Sequence, residues 1–235
     1  MRINTIKAAA FTAALASTFA FTAAQAVTIT PSGSVGGAPA GVVHQNFDSL
    51  TPGNTADVTI GIMTVKFTAG TSQPVTGASS GVYAAPYLSG GNGTGFGAQP
   101  NGADTTTYLS TGVGSIELDF TQNLSYLGVL WGSIDGYNSI AFYDGATLLQ
   151  SFSGTDILAG ANGDQGVNGT LYVNFNSDTL FNRVVLSSTQ NAFEFDNVAY
   201  NQTSDHEVPA PEPVTLSLFG AGLAGVGALR RRRKA

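Results

Sequence analysis

The chain has 235 residues, 9 Lys and Arg against 15 Asp and Glu, no cysteine, one tryptophan and a formal net charge of −6. Lack of cysteine excludes disulfides and thiol catalysis, and His44 and His206 alone leave little from which to build a Ser-His-Asp triad or a paired-histidine zinc site. The acidic balance excludes a nucleic-acid binder, which needs basic patches to displace counterions.

Arg2 and Lys7 open the chain as a basic segment, and an apolar run from Ala8 to Ala24, broken only by Thr and Ser, follows. Ala24-Gln25-Ala26 is then a small-x-small cleavage site, which predicts a signal peptide over 1–26 cut between Ala26 and Val27. The partners this implies are the Sec export machinery and signal peptidase. Residues 27–205 form one domain's length of chain, long enough to bury a substantial core. Within them two cations, Lys66 and Arg183, face thirteen acids, a net charge of −11. Such a surface suits solubility, divalent cations and neutral glycans. In an oxidising compartment a cysteine-free domain is held by packing or ions.

The domain reads as short strands separated by Gly, Asn, Asp and Ser. Val58 to Ile62 alternates and Met63 to Phe67 alternates one position out of phase, which predicts a β-bulge near Gly61. Gly70 to Asn101 and Gly160 to Gly166 are rich in Gly and small polar residues and are expected as long surface loops on one rim. Gly90 to Gly97 lacks the Lys-Ser or Lys-Thr and the βα unit of a phosphate loop. Ser115 to Phe120 places Ile116, Leu118 and Phe120 on one face and Glu117 and Asp119 on the other. Asp144-Gly145 between two apolar runs signals a hairpin with a type I′ turn. Leu171 to Phe175, Phe181 to Leu186 and Phe193 to Tyr200 complete about ten strands, with no convincing amphipathic helix. The fold class expected is all-β, an antiparallel β-sandwich of jelly-roll type.

Catalytic material is sparse. Glu117, Asp119, Asp135 and Glu194 have the right chemistry for a glycosidase, but no spacing selects a pair and solvated strand carboxylates account for them. No enzyme is expected. Asn46-Phe47-Asp48 lies near the first strands and Phe193-Glu194-Phe195-Asp196-Asn197-Val198 in the last. These two segments resemble carbohydrate-binding jelly rolls, in which terminal strands run side by side and hold a structural calcium. The resemblance implies such a calcium at Asp48 and Asp196; edge and turn carboxylates are the plainer reading. Trp131-Gly-Ser-Ile-Asp135-Gly-Tyr137-Asn138 offers a ligand contact through Trp131, Asp135 and Asn138, although a Trp ending the apolar run Leu127 to Leu130 also reads as core. Thr105-Thr106-Thr107 has no repeat behind it and does not make an ice-binding array.

The last residues form a separate unit. Pro211-Glu212-Pro213 precedes the uncharged run Val214 to Leu229, and Arg230, Arg231, Arg232, Arg233 and Lys234 follow. As a helix rising about 1.5 Å per residue the run reaches roughly 24 Å, a little short of a hydrocarbon core of about 30 Å, and the flanking cations keep that end cytoplasmic. Pro-Glu-Pro, apolar helix and Arg-rich end, together with the signal peptide, resemble the PEP-CTERM sorting signal of Gram-negative bacteria. That resemblance implies an exosortase as partner, export, transient anchoring through a transmembrane helix in 206–235, and release to the cell surface or extracellular matrix. The Trp-Gly-Ser-Ile-Asp-x-Tyr-Asn and Ala-Phe-Glu-Phe-Asp-Asn-Val segments are similar to exosortase-dependent surface proteins. The expected role is an exported protein associated with exopolysaccharide or biofilm, with a calcium-stabilised carbohydrate-binding adhesion module as the alternative.

Overall fold

The computed structural model describes residues 29–34, 37–68 and 70–201. The signal segment with Ala24, Ala26 and Val27, and the sorting tail with Pro211, Glu212, Pro213 and the arginines, lie outside the described residues. Among the described residues no helix is long and apolar enough to cross a membrane. In chain order the elements are β1 (Ile29–Ser34), β2 (Val43–Gln45), β3 (Val58–Ile60), β4 (Met63–Phe67), β5 (Gln73–Val75), β6 (Tyr87–Leu88) and β7 (Gly102–Ala103). They continue with β8 (Tyr108–Thr111), β9 (Gly114–Gly132), β10 (Asn138–Asp144), β11 (Thr147–Ser153), the single-turn α1 (Gly154–Ile157), β12 (Leu171–Ser188) and β13 (Phe193–Tyr200).

Every strand pair is antiparallel, and β9 and β12 are the spine. They pair from Trp131↔Leu171 to Gly114↔Ser188, with the register broken between Asn176 and Arg183. On one side of that break β9 pairs with β4, which carries β3, while β12 pairs with β10, which carries β11. On the other side β9 takes β13, and β12 takes β1. The two halves share one core: Phe142 of β10 lies 5.0 Å from Phe175 and 5.1 Å from Phe181, on either side of the break in β12. A twisted sheet this long buries its apolar face by folding onto itself. The result is an all-β, sandwich-like protein.

Ser115 to Phe120 lies in β9 as its alternation demands, with Ile116, Leu118 and Phe120 buried. Three local expectations change. No bulge occurs at Gly61: Ile60 pairs with Met63, and Gly61 at φ 61° opens a two-residue turn, which itself shifts the phase of the alternation. In the second hairpin Asp144 pairs with Thr147, so the turn residues are Gly145 (φ 55°) and Ala146 instead of Asp144 and Gly145. Two pairs of strands read as separate are continuous, because the exposed residues 121–123 and the mixed stretch 176–180, with Asn176 and Asp178 exposed and Ser177 buried, extend the spine instead of ending it.

The largest change concerns residues 70–101, the first of the two stretches expected as rim loops, together with 102–107 that follow. Instead of free rim loops they form a layer over the second face of β9 and β13. Phe96 and Leu88 pack with Tyr126, Leu130, Tyr172 and Ala199 in a second apolar cluster. Pro86 sits so close to Gly132 that an added Cβ would come within 2.9 Å of its Cα. With this layer in place all eight residues of β13 are buried: Phe193, Phe195, Val198 and Tyr200 belong to the main core, while Glu194 and Asp196 point the other way, under the layer.

Candidate functional site

The four carboxylates singled out by chemistry separate into two settings. Glu117 and Asp119 are on the outer face of β9, where Lys66 Nζ contacts Glu117 Oε1 at 3.1 Å and also pairs with Asp119. Arg183 reaches Glu117 Oε2 at 3.7 Å and lies over the Tyr143 ring. Both cations of the domain are thereby engaged at these two residues. They form a partly exposed ion-pair cluster.

Asp135 and Glu194 instead share a pocket of about 220 Å³, lined also by Tyr83, Tyr137, Asn162 and Gln165. Four segments build it: residues 81–84 of the covering layer, the β9–β10 connection, the Gly-rich segment 162–165, and residues 191–194 at the start of β13. Glu194, only 2% exposed, is held at its floor. Its Oε1 accepts from the Ala84 amide at 2.9 Å and its Oε2 from the Ser133 hydroxyl at 2.5 Å. Ser133 supplies that bond from φ 35°, a costly conformation for a residue with a side chain. Burial pushes the Glu194 carboxyl up to about 7, against the pull of Ser133 and Ala84 and with a contribution from the Asp135 charge.

Asp135 sits higher in the pocket and is half-buried. Its amide donates to Asn138 Oδ1 at 3.0 Å, and its carboxylate lies against Gly163, where an added Cβ would come within 2.6 Å of Oδ2. Gly163 also has φ 71°, so glycine is required twice over. The Tyr137 hydroxyl donates to Asn191 O at 2.7 Å. Burial first, and then the adjacent Asp135 carboxylate, hold this phenol well above its ordinary value, so it remains a donor.

Two of the three expected ligand contacts are internal. Trp131 is fully buried and stacked on Phe193, centroids 4.4 Å apart and planes 16° from parallel, because the apolar strand carries its side chain into the main core. Asn138 is fully buried and its Nδ2 donates to Ser188 Oγ at 3.1 Å and Ala192 O at 3.0 Å, which fixes the connection that presents Asp135. Only Asp135 faces the pocket.

The other acidic constellation lies two residues along β13. β2 and β13 do run side by side, with His44 opposite Ala199. Asp48, however, is exposed and accepts from Asn46 Nδ2 at 2.8 Å. Its charge reaches Asp196, but the nearer carboxylate is Asp104, a residue not selected from the sequence. Asp196 is completely buried and neither of its oxygens makes a hydrogen bond of good geometry. Asp104 is 2% exposed; its Oδ1 accepts from Thr106 N at 2.8 Å and Thr106 Oγ1 at 2.6 Å, and its Oδ2 has no partner. Burial above all, then the Asp104 charge, hold the Asp196 carboxyl well above the usual range, with the Asn197 amide opposing. Among the described residues no three His, Cys, Asp or Glu side chains gather as a metal-ligand set, so a cation here would draw most of its oxygens from elsewhere. The pattern Asp104-x-Thr106 was the one signal for this residue, since an Asx-type turn pins the carboxylate.

No protein-family model matches the chain, and no curated protein matches it.

Proposed function

We propose that this is an exported, non-catalytic surface or extracellular-matrix protein of a Gram-negative bacterium, whose domain over 27–205 holds exopolysaccharide. On this reading the Sec machinery and signal peptidase process 1–26, an exosortase acts at the Pro-Glu-Pro of the 206–235 tail, and the sheet belongs to the jelly-roll class of sandwiches. The observation that carries the glycan assignment is the pocket. Two Gly-rich segments converge there on Tyr83, Tyr137, Asp135 and Asn162, an arrangement of ring faces, acceptors and amide groups suited to a polyhydroxylated chain.

Binding without turnover fits the acids better than hydrolysis does. A glycosidase needs two carboxylates free to flank the scissile bond. Glu194 has both oxygens tied to the protein and leaves Asp135 without a mobile partner. An adhesion module for foreign glycans, stabilised by calcium, is the second reading, favoured by the buried acids around Asp196.

The test is to sediment the purified protein with exopolysaccharide from the strain that makes it and to assay the supernatant for reducing ends. Saturable retention without new reducing ends supports the proposal. Retention only on defined foreign sugars supports the adhesion module, and reducing ends that vanish in Asp135→Asn would make the protein an enzyme.

A further inference from the structure

The pocket that holds Asp135 and Glu194 does not end at its own walls. Ala84 and Gln165 belong both to its lining and to that of a second, open depression of about 510 Å³. At about 220 Å³ the pocket is smaller than the roughly 300–1,000 Å³ that enclose a drug-sized ligand, whereas the two together fall within that range. Their walls differ in chemistry. The pocket is lined mainly by polar side chains. In the depression Ala78, Ala85 and Ala103 give walls with nothing beyond Cβ, and Thr76 and Thr105 add hydroxyls.

The fold fixes the segments on both sides. Tyr108 Oη donates to the Gly77 carbonyl at 2.5 Å and the Asp104 amide donates to Pro86 O at 2.9 Å, which holds two loops that border the depression. The segment that carries Gln165 is tied to the β9–β10 connection: the Gly163 amide donates to Ile134 O at 3.0 Å and the Ile134 amide to Gly169 O at 2.8 Å. Gln165 itself is exposed, and its side-chain amide makes no hydrogen bond among the described residues. It therefore stands where the two cavities meet with two donors and an acceptor to offer.

Charge narrows what can lie there. Neither lining contains Lys, Arg or His, and the carboxyl side chains in them are Asp135, Glu194 and Asp104. Lys66 and Arg183 are engaged at Glu117 and Asp119 on the outer face of β9, so no Lys or Arg among the described residues remains to offset a uronate or a sulfate. We propose that the pocket and the depression form one groove that takes several consecutive units of a non-acidic glycan chain, with the chain crossing Gln165. A sugar ring has a polar rim and apolar faces, and a polar pocket continued by an alanine-walled depression meets both. The proposal rests on the glycan reading of the pocket and adds to it the length and the charge class of the ligand.

The experiment uses exopolysaccharide from the producing strain, partly hydrolysed, sorted by anion exchange and then by size. In calorimetric titrations of the purified protein, non-acidic fragments of about six units should bind at least about tenfold more tightly than single sugars, because units in the depression add contacts to those in the pocket. The double variant Ala78→Leu with Ala103→Leu fills the depression from two exposed positions. It should keep the affinity for single sugars and lose the gain with length, and Gln165→Ala should weaken the longer fragments. Equal affinity at all lengths, or a gain that survives in the double variant, would overturn the groove and leave the pocket reading standing. Acidic fragments bound as tightly as non-acidic ones would overturn the charge class. Absence of binding by every fragment would overturn the glycan reading as well.

Discussion

Ile116-Glu117-Leu118-Asp119-Phe120 on β9 and Phe193-Glu194-Phe195-Asp196 on β13 carry the same alternation, apolar residues on one face and two acids on the other. In both, the apolar face enters the same core. The acids meet opposite fates. Glu117 and Asp119 stay at the surface, neutralised by Lys66 and Arg183, whereas Glu194 and Asp196 lie beneath a second layer and pair with neither of the two cations among the described residues. Alternation therefore determines which side chains share a face, and the chemistry depends on what covers that face. Outside, a carboxylate is an ordinary solubilising group; inside, each one needs a partner.

Four changes probe the difference between the two faces. The largest effect belongs to the shared core: Trp131→Ala removes the ring stacked on Phe193 and should cost about 3–5 kcal/mol in a denaturant titration, unfolding the domain instead of selectively weakening glycan binding. Next, on the adhesion-module reading, Asp196→Asn should abolish a calcium-dependent stabilisation of about 2.7 kcal/mol at a hundredfold excess over Kd, read as the difference between melts with and without chelator. Third, Gly163→Ala should displace the Asp135 carboxylate and lower glycan affinity about tenfold, or about 1.4 kcal/mol, measured by calorimetric titration. Smallest is the outer pair. Glu117→Gln with Asp119→Asn should cost less than about 1 kcal/mol in low salt and nothing measurable at about 1 M salt, since these side chains are 22% and 31% exposed.

Much of the main core was legible because its spacing is regular. Ile116, Leu118 and Phe120 repeat every second residue, and the Phe193 to Tyr200 run ends as a buried strand. Trp131 followed an apolar run and is core, where that context places it. The covering layer was not legible, because Val75, Ala84, Pro86, Leu88 and Phe96 are buried at irregular spacing within a Gly- and Ser-rich stretch. Each is buried by a separate local contact, such as Pro86 on Gly132, and no periodicity reports such contacts. Asp104 was missed for the same reason: in Ala-Asp-Thr-Thr-Thr it has the form of a solvated turn, and only the fold sets it beside Asp196. The joined strands β9 and β12 were hidden by the polar residues 121–123 and 176–179, which resemble turns although they continue the strands.

The most direct test of the functional account is one set of binding isotherms, exopolysaccharide from the producing strain titrated into the unaltered protein, Asp135→Asn and Glu117→Gln. The account predicts saturable binding, weakened about tenfold by Asp135→Asn and untouched by Glu117→Gln. Absence of saturable binding, or equal affinity for all three, would contradict it.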